Sequence, residues 1–111
     1  MVQGSLKYFE HKKVDLTTAA TTYKITELKG GESITLKAAT DNSGYVYIGH
    51  NNAVSSTTGY ELDAGETLTL MLPATFGREN YIEIWATGSS SGDDVFYIKL
   101  IDLEPITEAS T

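Results

Sequence analysis

Apolar side chains recur at every second position in short blocks, and glycine, asparagine, aspartate and serine cut the blocks apart. That alternation confines the chain to half-buried strands, because successive side chains of a strand point to opposite faces. No comparable helical stripe exists. In Ser33 to Ala39, Ile34, Leu36 and Ala38 take one face while Ser33, Thr35 and Lys37 take the other. Gly44 to His50 places Val46 and Ile48 inward, and Thr67 to Leu72 places Leu68, Leu70 and Leu72 inward before Pro73 ends the ladder. Tyr81 to Thr87 offers Ile82, Ile84 and Ala86. The last block, Val95 to Ile101, offers Phe96, Ile98 and Leu100 to the interior, with Val95, Tyr97, Lys99 and Ile101 on a second, partly covered face. Two further strands precede these, one from Leu6 to Leu16 and one from Tyr23 to Leu28. Seven to eight strands spaced about 8–12 residues apart predict an all-β fold, an antiparallel β-sandwich or small barrel. The expected limits are one domain over 1–104 and a flexible tail over 105–111.

A short echo joins Gly30 to Leu36 with Ala64 to Leu70, since GGESITL and AGETLTL share a turn, an acid and an alternating strand. Two copies with unlike intervening segments are too few for a solenoid. They read as two equivalent corners of one sandwich.

The chain has 111 residues, enough for one hydrophobic core. Its net charge of -7, with no cluster of lysine or arginine, repels phosphate backbones and argues against nucleic acid. The absence of cysteine removes disulfide scaffolds, thiol nucleophiles and thiolate metal sites. No stretch approaches the roughly 20 apolar residues of a helical membrane span, and the opening run to Lys13 lacks a signal-peptide core. The expectation is a protein made and kept in the cytoplasm unless it leaves inside an assembly, with no membrane association.

Groups that could carry chemistry are scattered. His11 stands among Glu10, Lys12 and Lys13 on a half-exposed strand and reads as solvated. His50 opens the loop HNNAVSSTTG, where binding residues often sit, but it has no local partner for metal or acid-base work. No serine lies in a GxSxG elbow. Asp93-Asp94 lacks the ligand spacing of a calcium loop. Gly30-Gly31 and Gly44 lack the lysine and helix of a phosphate cradle. The expectation is no catalytic residue, no metal and no cofactor.

What the alternation does leave on the outside is aromatic. Inward Val46 and Ile48 push Tyr45 and Tyr47 outward, inward Ile82 and Ile84 push Tyr81 and Trp85 outward, and Tyr97 opposes Phe96 and Ile98. If their strands are neighbours, Tyr45, Tyr47, Tyr81, Trp85 and Tyr97 form a partner interface, unless the N-terminal strand or a loop covers them.

Over about residues 44–100 the order of features resembles a small β-sandwich type found among structural proteins of tailed bacteriophages and related viruses. The features are the strand Val46 to Gly49, the Ser/Thr-rich link Val54 to Thr58, the glycine-glutamate corner Gly59 to Glu66, the alternating strand Thr67 to Leu72 and the aromatic strand Tyr81 to Gly88. The resemblance implies a virion component, first a head decoration protein that cements the capsid surface, and next a tail or fibre part. It implies as partners the major capsid protein or another virion protein, and further copies of the chain, with a trimer one option. Two rivals use the same residues differently. A carbohydrate-binding module would stack sugars on Tyr45, Tyr47, Tyr81 and Trp85 with Asn51, Asn52 and Asp41 on the hydroxyls, and a small hydrolase would join His50 to Asp41 or Asp93.

Overall fold

A computed structural model describes residues 7–102; the start of the first expected strand, the 104/105 boundary and the tail lie outside the described residues. Eight strands follow in chain order: β1 (Lys7–Leu16), β2 (Thr22–Lys29), β3 (Ser33–Ala38), β4 (Val46–Gly49), β5 (Tyr60–Leu62), β6 (Thr67–Met71), β7 (Tyr81–Gly88) and β8 (Asp93–Asp102). One 3₁₀ turn, Ala74–Phe76, lies between β6 and β7. The strand missing from the sequence reading is β5, three residues hidden within the glycine-glutamate corner.

The strands form two four-stranded antiparallel sheets, ordered β1-β8-β3-β6 and β2-β7-β4-β5. This is the interleaved order of a jelly roll, so the expected sandwich is present. Between the sheets lie Leu16, Leu28, Ile34, Leu36, Ala38, Val46, Ile48, Leu62, Ile84, Ala86 and Val95, all buried. Burying them supplies the main drive for folding, at about 25 cal/mol per Å² of apolar surface.

The sequence echo is a structural one. In each corner a glycine with positive φ, Gly31 at 86° and Gly65 at 84°, closes a turn that a side chain other than hydrogen would strain. The acid that follows locks it: Glu32 Oε1 accepts from the Lys29 N–H at 2.9 Å, and Glu66 Oε1 accepts from the Asp63 N–H at 2.8 Å. Each corner carries the chain from one sheet to the other, β2 into β3 and β5 into β6. The backbone bonds that receive them also match, Gly31 N–H to Leu72 O at 3.0 Å and Gly65 N–H to Ala38 O at 2.8 Å. Strands β3 and β6 then pair antiparallel about Thr35 and Thr69, whose hydroxyls meet at 2.9 Å. A local two-fold axis therefore passes between these two threonines.

The register of β8 is opposite to the sequence expectation. Val95, Tyr97 and Lys99 face the core, while Phe96, Ile98 and Leu100 stay 42%, 45% and 41% exposed. Three polar anchors set this parity. Asp93 points inward to accept the N–H groups of Ser43 and Gly44 at 3.0 and 2.8 Å. Tyr97 donates its phenol to Glu10 at 3.0 Å. The Lys99 ammonium crosses to the opposite sheet and donates to the Glu27 carbonyl at 2.9 Å and the Thr26 hydroxyl at 3.2 Å, where β2 carries a bulge. With those partners a buried lysine is tolerable.

Candidate interaction surfaces

The five expected interface aromatics do not share one patch. Tyr97 belongs to the other sheet, faces inward and is buried. Tyr47 points outward from β4 as expected but is only 7% exposed, because the 50–59 loop folds over it. Gly59 permits that approach, since a Cβ there would sit 2.7 Å from Tyr47 Cβ and 2.8 Å from a Val54 methyl. Burial raises the ionisation of both phenols above the usual tyrosine range, with Glu61 adding to the effect at Tyr47 and the bond to Glu10 adding to it at Tyr97.

Tyr45 and Tyr81 are exposed, yet at opposite ends of β7. Tyr45 bonds to Ser89, just beyond the strand, whereas Tyr81 is its first residue. The length of β7 separates them by about 23 Å at the usual strand rise. Tyr45 and Tyr81 therefore do not stand side by side as adjacent rings of a sugar-stacking row.

Trp85 lies between them, half buried, donating its indole N–H to Glu83 at 2.8 Å. That bond, helped by Lys24 at 3.5 Å, holds the Glu83 carboxyl below its usual range. A group depressed in this way keeps its contribution above the unfolded-state value and loses it as the pH falls through the folded one. Trp85 is the sole tryptophan, so its emission reports the event. The expected result is a constant spectrum down through the ordinary glutamate range, a step at lower pH, and no step in Glu83→Gln. A step centred in the ordinary range would contradict the assignment.

The remaining candidates stay apart as well. Asp93 spends both carboxylate oxygens on the Ser43-Gly44 turn before β4, while His50 lies beyond the far end of that strand. His50 meets the Asn51 amide at 3.4 Å, and Asn51 Oδ1 caps the Ala53 N–H. Asp94 reaches Lys13 at 3.8 Å. Among the described residues no three histidine, aspartate or glutamate side chains come together as a metal would require.

The surface that sequence reading missed is the outer face of the β1-β8-β3-β6 sheet. Cross-strand pairing lines up Phe9, Leu100, Ser33 and Met71 in one rung, His11, Ile98, Thr35 and Thr69 in the next, and Lys13, Phe96, Lys37 and Thr67 in a third. Phe9, 57% exposed, adjoins Leu100, from which Ile98 and Phe96 continue along β8, and Met71, 73% exposed, lies across Ser33 from Leu100. A shallow depression of about 420 Å³ follows Phe96 and Ile98, bordered by His11, Lys13 and Lys37. Lys13 and Lys37 border the apolar centre, and Asp94, on the next rung, pairs with Lys13. The sequence signal of this face was a last strand with apolar residues on both parities.

No family model matches the chain, and no curated protein matches it in sequence. Solved structures match its shape. A de novo designed double-stranded β-helix aligns at TM-score 0.52 and 14% identity over 85% of this chain and 99% of that one. A protein of Bacillus endospore appendages, which form disulfide-linked pili, aligns at 0.51 and 14% identity over 92% and 93%. The metallopeptidase IMPa of Pseudomonas aeruginosa, solved with an O-glycopeptide, aligns at 0.55 and 10% identity over 95% of this chain, which spans 13% of the enzyme's length. At these identities the likeness is one of fold.

Proposed function

We propose that this chain is a non-catalytic structural subunit that works by packing against other protein subunits of a particle or appendage, in its specific form a head decoration protein on a capsid surface. The carrying observation is the outer face of the β1-β8-β3-β6 sheet, where Phe9, Met71, Phe96, Ile98 and Leu100 are each at least 41% exposed. A contiguous apolar area rimmed by polar groups marks a docking surface, whereas isolated apolar residues do not. The occupant is a shell or shaft subunit that presents an apolar ridge flanked by acids, which Lys13 and Lys37 would meet. The order of strand, link and corner that resembles phage structural proteins supports this reading, and so does an appendage subunit of similar length and shape.

Co-sedimentation with particles assembled by the virus or cell that encodes the chain tests it. The wild type is expected to pellet with them, and the Phe96→Ser, Ile98→Ser double variant to lose at least about tenfold in affinity while remaining folded by circular dichroism at the assay temperature, as loss of central apolar contacts costs roughly 1–2 kcal/mol or more. Wild-type protein that ignores the particles, or a double variant that binds as well, overturns the proposal.

A further inference from the structure

The four sheet edges are not protected alike. Edge strands invite pairing with another chain, and proteins blunt them with charge, bulges or shortness. Strand β1 carries Glu10, Lys12 and Lys13, β2 carries Lys24, Glu27, Lys29 and a bulge, and β5 is three residues long with Glu61. Strand β6, Thr-Leu-Thr-Leu-Met, has none of these devices within its five residues, and among the described residues no strand pairs with its far side. A second observation lies beside it. Leu68 and Leu70 point inward yet are only half buried, because an apolar cleft of about 410 Å³ opens there between the sheets, lined by Ile48, Tyr60, Leu68, Leu70, Ile82 and Ile84.

We infer that β6 pairs with β6 of a second copy, antiparallel across a two-fold axis at Thr69, joining two four-stranded sheets into one of eight strands. The molecule holds its own precedent. Strand β3 is the sequence echo of β6, and it already lies antiparallel on the near side of β6 about Thr35 and Thr69. A β6 of the second copy offers the far side the same alternation of threonine and leucine. In that register Leu68 faces Leu70 of the second copy on the inner face, Thr67 faces Met71 on the outer one, and the two apolar clefts meet at the axis. Apart from Met71, which belongs to both, the pairing uses the edge of the sheet and not the outer face given the docking role.

The chain has no cysteine, so an introduced thiol reports its neighbour without interference. Thr69→Cys is expected to cross-link under mild oxidation to a species of twice 12.1 kDa. Thr67→Cys alone and Met71→Cys alone are expected to stay uncoupled, because two copies of either lie about 13 Å apart, beyond the roughly 7 Å that a disulfide spans between Cα atoms. Mixed together, these two variants cross-link, with a yield about tenfold above either alone. That mixture leaves Thr69 in place and so decides the matter even if Thr69→Cys folds poorly. Wild type of single mass at high concentration, cross-linking that ignores register, or open-ended polymers in place of a closed dimer would each overturn the pairing. The Phe96→Ser, Ile98→Ser variant keeps its β6 cross-link, so failure on the particle and failure at the edge are read separately.

Discussion

Leu36→Ala should unfold at much lower denaturant than the wild type, with a loss of about 3 kcal/mol, while Ile98→Thr, on the adjacent strand of the same sheet, should lose less than about 0.5 kcal/mol. Leu36 is fully buried at the middle of β3, with Leu68 of β6 on one side and Tyr97 of β8 on the other. Truncating it removes both transfer free energy and packing contacts from a position flanked by strands that cannot close inward. Against a domain stability of roughly 5–15 kcal/mol this is a large share, and for a chain of this size it corresponds to a melting point lower by about 15 °C. Ile98 sits on the neighbouring strand with its side chain 45% exposed. The pair of measurements tests the β8 register directly, since the alternation read from sequence put Ile98 in the core. Equal losses at the two sites would restore the sequence register and remove the apolar outer face on which the docking proposal stands.

The difference between what the sequence disclosed and what it concealed follows from the range of each interaction. The two corners were legible because their chemistry is local: a glycine that tolerates positive φ and an acid that bonds the backbone three residues earlier are written in consecutive letters. The inward sets of β3, β4 and β7 were legible for a similar reason, since one parity is aliphatic and the other polar or amphipathic aromatic. In β8 both parities are apolar, and the lysine on one of them is the residue that reaches across the core to Glu27 and Thr26. Its partners lie more than 70 positions away in the chain. The aromatic patch failed through the same kind of distance. The parity of Tyr47 was right, but the loop that covers it and the strand length that parts Tyr45 from Tyr81 are properties of the assembled sheets.

Removing the Asp93 carboxylate should cost nearly as much as opening the core. Asp93 is 5% exposed and accepts from two backbone donors, the Ser43 and Gly44 N–H groups, with the Ser43 hydroxyl further off at 3.4 Å. Bonds to a charged acceptor contribute roughly 1.5–3 kcal/mol each, and a buried donor left without a partner is penalised again, so Asp93→Ala is expected to lose about 3 kcal/mol in chemical denaturation. Asp93→Asn keeps an oxygen for one of the two donors while its amide meets the other N–H, which places it between alanine and wild type. Asp94→Ala should fall within about 0.5 kcal/mol, because that side chain makes a 3.8 Å ion pair with a Lys13 that is 57% exposed. Adjacent aspartates would behave alike if they held a calcium ion together, and their stabilities would then rise with added calcium. A graded loss at Asp93, almost none at Asp94 and no response to calcium would identify the first acid as the clamp on the turn that feeds β4. That same clamp fixes the parity of β8, and through it the outward placement of Phe96, Ile98 and Leu100.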